Sequence, residues 1–149
     1  MSDHDPKIGL LRHLIVTVAF RCRVAIANAP EDFAEFRAAK DARSPAETLA
    51  HLGDLMAGSL HLLKGEFVEL VSVPLPWEQE VERCFAAMRE LDAFLASDPE
   101  IAFPVEKFVQ GPIGDALTHV GQIVLLRRIS GSPVRAEPYF MADIELGDI

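Results

Sequence analysis

Apolar residues recur at helical spacing in four long segments, and no segment alternates with the period of a strand. In the first, Leu11, Leu14, Ile15, Val18, Cys22 and Ala25 fall at i, i+3, i+4, i+7 spacing, which predicts a helix from about Pro6 to Ala27. Asn28 tolerates a left-handed cap and Pro30 cannot continue a helix, so the pattern stops there. The second segment has the clearest start in the chain. Ser44-Pro45-Ala46-Glu47 sets Ser at the N-cap, Pro at the first helical position and Glu at the third, which is a capping box. That helix runs to about Leu63 and stops at Lys64-Gly65. The third follows Pro74-Leu75-Pro76, carries Val81, Phe85, Met88, Leu91 and Leu95, and ends near Ser97. The fourth spans roughly Pro112 to Ser130 and ends at Gly131. Between the first two helices, the charged stretch Glu31 to Arg43 interleaves Phe33 and Phe36 and reads as a short helix across the bundle. A linker with Pro99 and Pro104 precedes the fourth helix.

Helices of about 16 to 22 residues with connections of about 8 to 16 predict an all-α four-helix bundle with long inter-helix connections. Connections that long imply at least one crossover. A chain of 149 residues reads as one domain, 1–149. The tail from Ser132 to Ile149, with Tyr139, Phe140 and Met141 together, is expected to pack on the bundle.

Charge excludes one class of partner. Lys and Arg number 14 and Asp and Glu 23, for a net charge of −9. Nucleic-acid binding needs clustered cations, and the tight basic groups, Arg21-Cys22-Arg23 and Arg127-Arg128, sit inside predicted helices. A membrane span is excluded by length: the longest apolar run, Leu14 to Phe20, falls far short of about 20 residues. The acidic start, Met1 to Pro6, does not read as a signal peptide. Cys22 and Cys84 have no CxxC or Cys-His spacing and read as free core thiols. A cytoplasmic protein is expected.

One polar constellation stands out on the fourth helix. Asp115 and His119 are i and i+4, so they stack on one face, and Gln122 continues that stripe. Ile113, Ala116, Leu117, Val120 and Val124 lie opposite, so the helix reads as largely buried with an interior polar stripe. On the second helix, His51 borders the apolar stripe of Leu49, Leu52, Leu55, Met56, Leu60 and Leu63. His61 falls with Asp54 and Glu47 on the polar side, and His4 and His13 also read as solvated. Two imidazoles and a carboxylate from two facing helices suit a divalent ion such as Zn, Ni, Fe or Mn. Three protein ligands leave positions open for water or substrate. By spacing alone, an Asp-x-x-x-His pair on a helix is more often a surface i, i+4 pair than a ligand pair.

Other features carry plainer readings. Trp77 either closes the bundle end or lines a pocket mouth. Arg127 and Arg128 complement the negative end of the fourth helix. Val16, Phe20 and Val24 form a second apolar strip on the first helix, which predicts a homodimer contact. No Gly-rich phosphate loop or Ser-nucleophile motif occurs, so no organic cofactor site and no catalytic group is assigned.

The chain resembles the DinB/YfiT-like superfamily of metal-binding four-helix bundles over nearly its whole length. Three segments carry the resemblance: Ser44 to Leu52, Asp115 to Ile123, and Leu125 to Val134 with its Arg127-Arg128-Ile129-Ser130-Gly131-Ser132-Pro133 run. Members typically bind a divalent metal through three His, one on the second helix and two spaced by four on the fourth, the last followed by x-Gly-Gln. Carried over, the resemblance implies His51 as the first ligand and His119, before Val120-Gly121-Gln122, as the last. Asp115 stands where the family has His, which shifts preference toward harder metals such as Fe or Mn. The resemblance further implies a metal-dependent enzyme, of the low-molecular-weight-thiol S-transferase (bacillithiol or mycothiol) or hydrolase class, acting on a small molecule. It also leaves room for a non-catalytic binding or interaction protein. Gln122 would orient a ligand.

Overall fold

The computed structural model describes residues 5–149, and His4 lies outside them. Among the described residues the chain is all-α, without strands. Four long helices, α1 (Pro6–Ile26), α2 (Pro45–Leu63), α3 (Trp77–Ala96) and α5 (Gly114–Ile129), carry the structure. A single turn, α4 (Val105–Phe108), precedes α5.

Local signals set the ends of these elements. The Asp5 side chain accepts from the Lys7 N–H at 2.9 Å, with Pro6 at the first position of α1. Asn28 ends α1 with φ 51°. At α2, the Glu47 N–H donates to Ser44 Oγ (3.2 Å) and the Ser44 N–H donates to Glu47 Oε2 (2.9 Å), completing the capping box. Its end is a Schellman turn: the Gly65 N–H donates to Leu62 O and the Glu66 N–H to His61 O, both at 2.9 Å. The left-handed φ of Gly65, 80°, makes that turn cheap only for glycine. The same arrangement closes α5 at Gly131, φ 85°.

The approach to α5 differs from the sequence reading. Helical backbone begins at Val105 rather than Pro112, and a π turn, Val109–Ile113, joins α4 to α5. Pro112 has no N–H and its ring clashes with the carbonyl four residues back, so the wider turn is how the chain keeps going. The predicted helix over Glu31–Arg43 shrinks to a 3₁₀ turn at Phe33–Glu35, whose Phe33 plugs into the core.

Packing follows a ring in the order α1, α3, α2, α5, each helix touching the next and α5 returning to α1. Helices α1 and α2 are therefore diagonal, as are α3 and α5. Both long connections cross the bundle, which explains their length. Ile15 and Val18 of α1, Leu52 and Met56 of α2, Met88 and Leu91 of α3, and Ile123 of α5 meet in one core. Each such side chain stabilises by about 1.5–3 kcal/mol on burial. Cys22 and Cys84 are fully buried and meet across the α1–α3 contact. Their mutual hydrogen bond, then burial, pushes the Cys84 thiol well above its ordinary range. Trp77 packs edge-on against Phe33, centroids 6.0 Å apart, and so closes the bundle end.

Most polar groups inside the fold are matched, the buried Arg21 Nε being without a hydrogen-bond partner. Arg12 donates to both carboxylate oxygens of Asp92, at 2.8 and 3.0 Å, linking α1 to α3. Buried Glu80 accepts from the Leu75 N–H (2.8 Å) and from Arg83 Nε (3.0 Å). Arg127 departs from its predicted role as a dipole complement at a helix end. It is only 4 % exposed and donates to Ala25 O (3.0 Å), Ala27 O (2.9 Å) and Ser132 O (2.7 Å). It thus caps the carboxyl end of α1 from α5 while holding the start of the tail.

The tail returns along α1. Tyr139 meets Phe20 edge-on (6.2 Å), and the Arg21 guanidinium lies 3.9 Å from the Tyr139 ring centre. Phe140 and Met141 point outward, 97 % and 73 % exposed, so only Tyr139 of the expected trio packs. Of the strip expected to bind a second copy, Val16 is buried and Phe20 meets the chain's own tail. No helix among the described residues is long and apolar enough to cross a membrane.

Candidate metal centre

Neighbouring helices α2 and α5 bring His51, Asp115 and His119 together. One ligand atom from each lies within 4.8 Å of those of the other two, the single such group among the described residues. The imidazoles of His51 and His119 meet edge to face, centroids 4.7 Å apart and planes at 89°. Around a tetrahedral ion, ligand atoms sit about 3.4 Å apart, so inward movement of under about 1 Å brings the set onto one centre.

The surroundings of the two imidazoles suit them to a cation. Burial, then the Arg43 charge, then His119 lower the pKa of His51, which keeps its ring neutral and its lone pair available. His119, 9 % exposed, is hydrogen-bonded through Nδ1 to Gln122 Oε1 at 3.0 Å. An amide oxygen accepts only, so Nδ1 donates this bond and Nε2 is the nitrogen left for a cation. Gln122 therefore orients His119 as outer partners of metal-bound His do. His61, in contrast, is paired through Nδ1 with Glu66 at 2.7 Å, and His13 is exposed.

The surroundings of Asp115 correct the sequence reading. Asp115 and Gln122 are exposed, so their stripe lies at the edge of the bundle and not inside it. Leu125 and Ile129 are also half exposed, so α5 is less enclosed than its composition suggests. A carboxylate in water needs no partner to offset burial, and Asp115 is free to approach an ion.

Two cavities flank the cluster. One, about 430 Å³, is lined by His119 and Gln122 together with Leu125, Leu126 and Ile129. The other, about 400 Å³, is lined by His51, Asp54, Ser72 and Glu47. Asp54 accepts from the Ser72 N–H (2.8 Å) and Ser72 Oγ (2.6 Å), tying the chain after α2 to that helix. Arg43 lines both cavities. Periodicity missed it, because the segment before the capping box has no repeat and its placement is set by tertiary packing. Its one signal was proximity in sequence to the start of α2.

The donor set fits a divalent ion: two imidazoles and one carboxylate, with solvent access on two sides. No family model matches the chain, and neither a curated protein nor a solved structure does.

Proposed function

We propose that the chain is a DinB-like divalent-metal-binding protein, and that it acts as a metal-dependent enzyme of the thiol S-transferase or hydrolase class. One observation carries this reading: His51 and His119 meet across α2 and α5 with Asp115 beside them, next to open cavities. A bound divalent ion would lower the pKa of a coordinated thiol or water and supply a nucleophile near neutral pH. The chain's own residues do the rest. His51 and Asp115 close the ligand set from two helices, and Gln122 holds the His119 tautomer. Leu125, Leu126 and Ile129 offer apolar surface to a small molecule beside the site.

A second reading is a non-catalytic metal-binding or interaction protein. Asp115 favours it, being an exposed carboxylate where the superfamily has His and one that lowers the charge on the ion. A conjugation assay with a low-molecular-weight thiol separates the two. Metal-dependent turnover, abolished by His51→Ala, is expected for the enzyme. Metal binding without turnover of thiol or ester substrates leaves the binding protein.

A further inference from the structure

Arg43 is the charged side chain lining the cavity on the His119 side. No hydrogen bond or ion pair within the described residues engages its guanidinium. The acid nearest in sequence, Glu47, is already held: Arg37 Nη1 donates to Glu47 Oε2 at 2.9 Å, and the Ser44 N–H donates to the same oxygen. Asp54, across the second cavity, is held by Ser72. Arg12, Arg37 and Arg83 all hold carboxylates in hydrogen bonds, whereas Arg43 makes no such bond; Glu47 and Asp54, which line the second cavity with it, are held by other groups.

The rest of the cavity is of the opposite character. Leu125 and Ile129, each 53 % exposed, and Leu126 present aliphatic surface along one wall. Thr48 offers little, because its hydroxyl already donates to Ser44 O at 2.9 Å. A guanidinium in the same cavity as aliphatic side chains suits an organic anion with an apolar body.

We propose that this cavity binds an organic monoanion with an apolar body, its carboxylate paired with Arg43 and its hydrocarbon laid on Leu125, Leu126 and Ile129. The planar guanidinium matches a carboxylate with two parallel hydrogen bonds, a geometry a lysine does not reproduce. As a substrate class, this deepens the metal-enzyme reading and rests on it. A divalent ion on two neutral His and one Asp leaves a net charge of about +1, which adds to Arg43 in drawing an anion. Anion recognition at Arg43 itself needs no metal.

Octanoate, with octanamide as its uncharged counterpart, is the probe. Both are titrated calorimetrically into the full-length chain, metal-free and zinc-loaded, and into Arg43→Met and Leu125→Glu. Octanoate is expected to bind about tenfold or more tightly to the native chain than to Arg43→Met. Octanamide should bind the two alike, and Leu125→Glu should weaken octanoate more than octanamide. Arg43 is exposed, so the Met variant should melt with the native chain, and a melting curve checks this. Equal octanoate binding by native and Arg43→Met protein, or no binding by either, overturns the proposal. If zinc does not bind but octanoate still depends on Arg43, the metal reading fails and this one stands. If zinc binds and octanoate ignores Arg43, the reverse holds.

Discussion

His119 donates from Nδ1 to Gln122 Oε1, 3.0 Å away and one turn further along α5. That bond fixes which nitrogen faces His51 and Asp115. Replacing Gln122 by Leu removes the acceptor and leaves the ring free to change tautomer and to turn. Zinc affinity should fall about 10–100-fold. Gln122 is exposed, so the melting temperature should hardly move. Competition against a colorimetric chelator, alongside thermal melts, reads both quantities.

Asp115 is exposed and, among the described residues, has no hydrogen-bond or ion-pair partner. Asp115→Asn should therefore leave stability within about 0.5 kcal/mol. It should nonetheless weaken zinc binding at least about tenfold, because a neutral amide is a poorer ligand than a carboxylate. Asp115→His should keep binding and shift preference from Mn toward Zn. A variant that loses stability but not metal affinity would give Asp115 a structural role instead.

Arg127 is the residue on which the geometry around the start of the tail depends. It donates to carbonyls at the end of α1 and to Ser132 O, with no carboxylate in the arrangement. Arg127→Met leaves the buried carbonyl of Ala25 and the part-buried carbonyl of Ala27 without these donors, a loss of about 2–4 kcal/mol. Calorimetric unfolding checks it. Arg128→Met, at an exposed neighbour, should cost little.

The capping box should titrate. The hydrogen bond from Arg37, then the Ser44 N–H, holds the Glu47 carboxylate below the usual range. A group whose folded pKa is depressed stabilises above its unfolded value and loses that contribution as pH falls through the folded one. The melting-temperature gap between the native chain and Glu47→Gln should be widest above about pH 5 and close on going below about pH 4. A gap that widens on acidification would contradict the assignment.

Much of the fold was legible because its signals are local. Ser44 and Glu47 announce α2, Gly65 and Gly131 announce two stops, and Pro76 fixes the start of α3. Pro112 misled, because loss of one N–H reads as a helix start when it is a π turn inside a longer helical run. The structure brings together His51, Asp115 and His119, which were named from spacing and resemblance. Asp115's exposure was not, since which face of α5 its neighbours cover is decided by the ring order of the bundle. Arg127 and Arg43 escaped for the same reason. Arg127 reaches a different helix and Arg43 stands in an aperiodic segment, and neither role leaves a mark on nearby sequence.

Zinc titration of the metal-stripped chain by calorimetry is the most direct test of the His51–Asp115–His119 centre. One ion per chain is predicted for the native protein, with His51→Ala and His119→Ala each losing it while remaining folded. No binding by the native chain, or unchanged stoichiometry and affinity in both variants, would contradict the assignment.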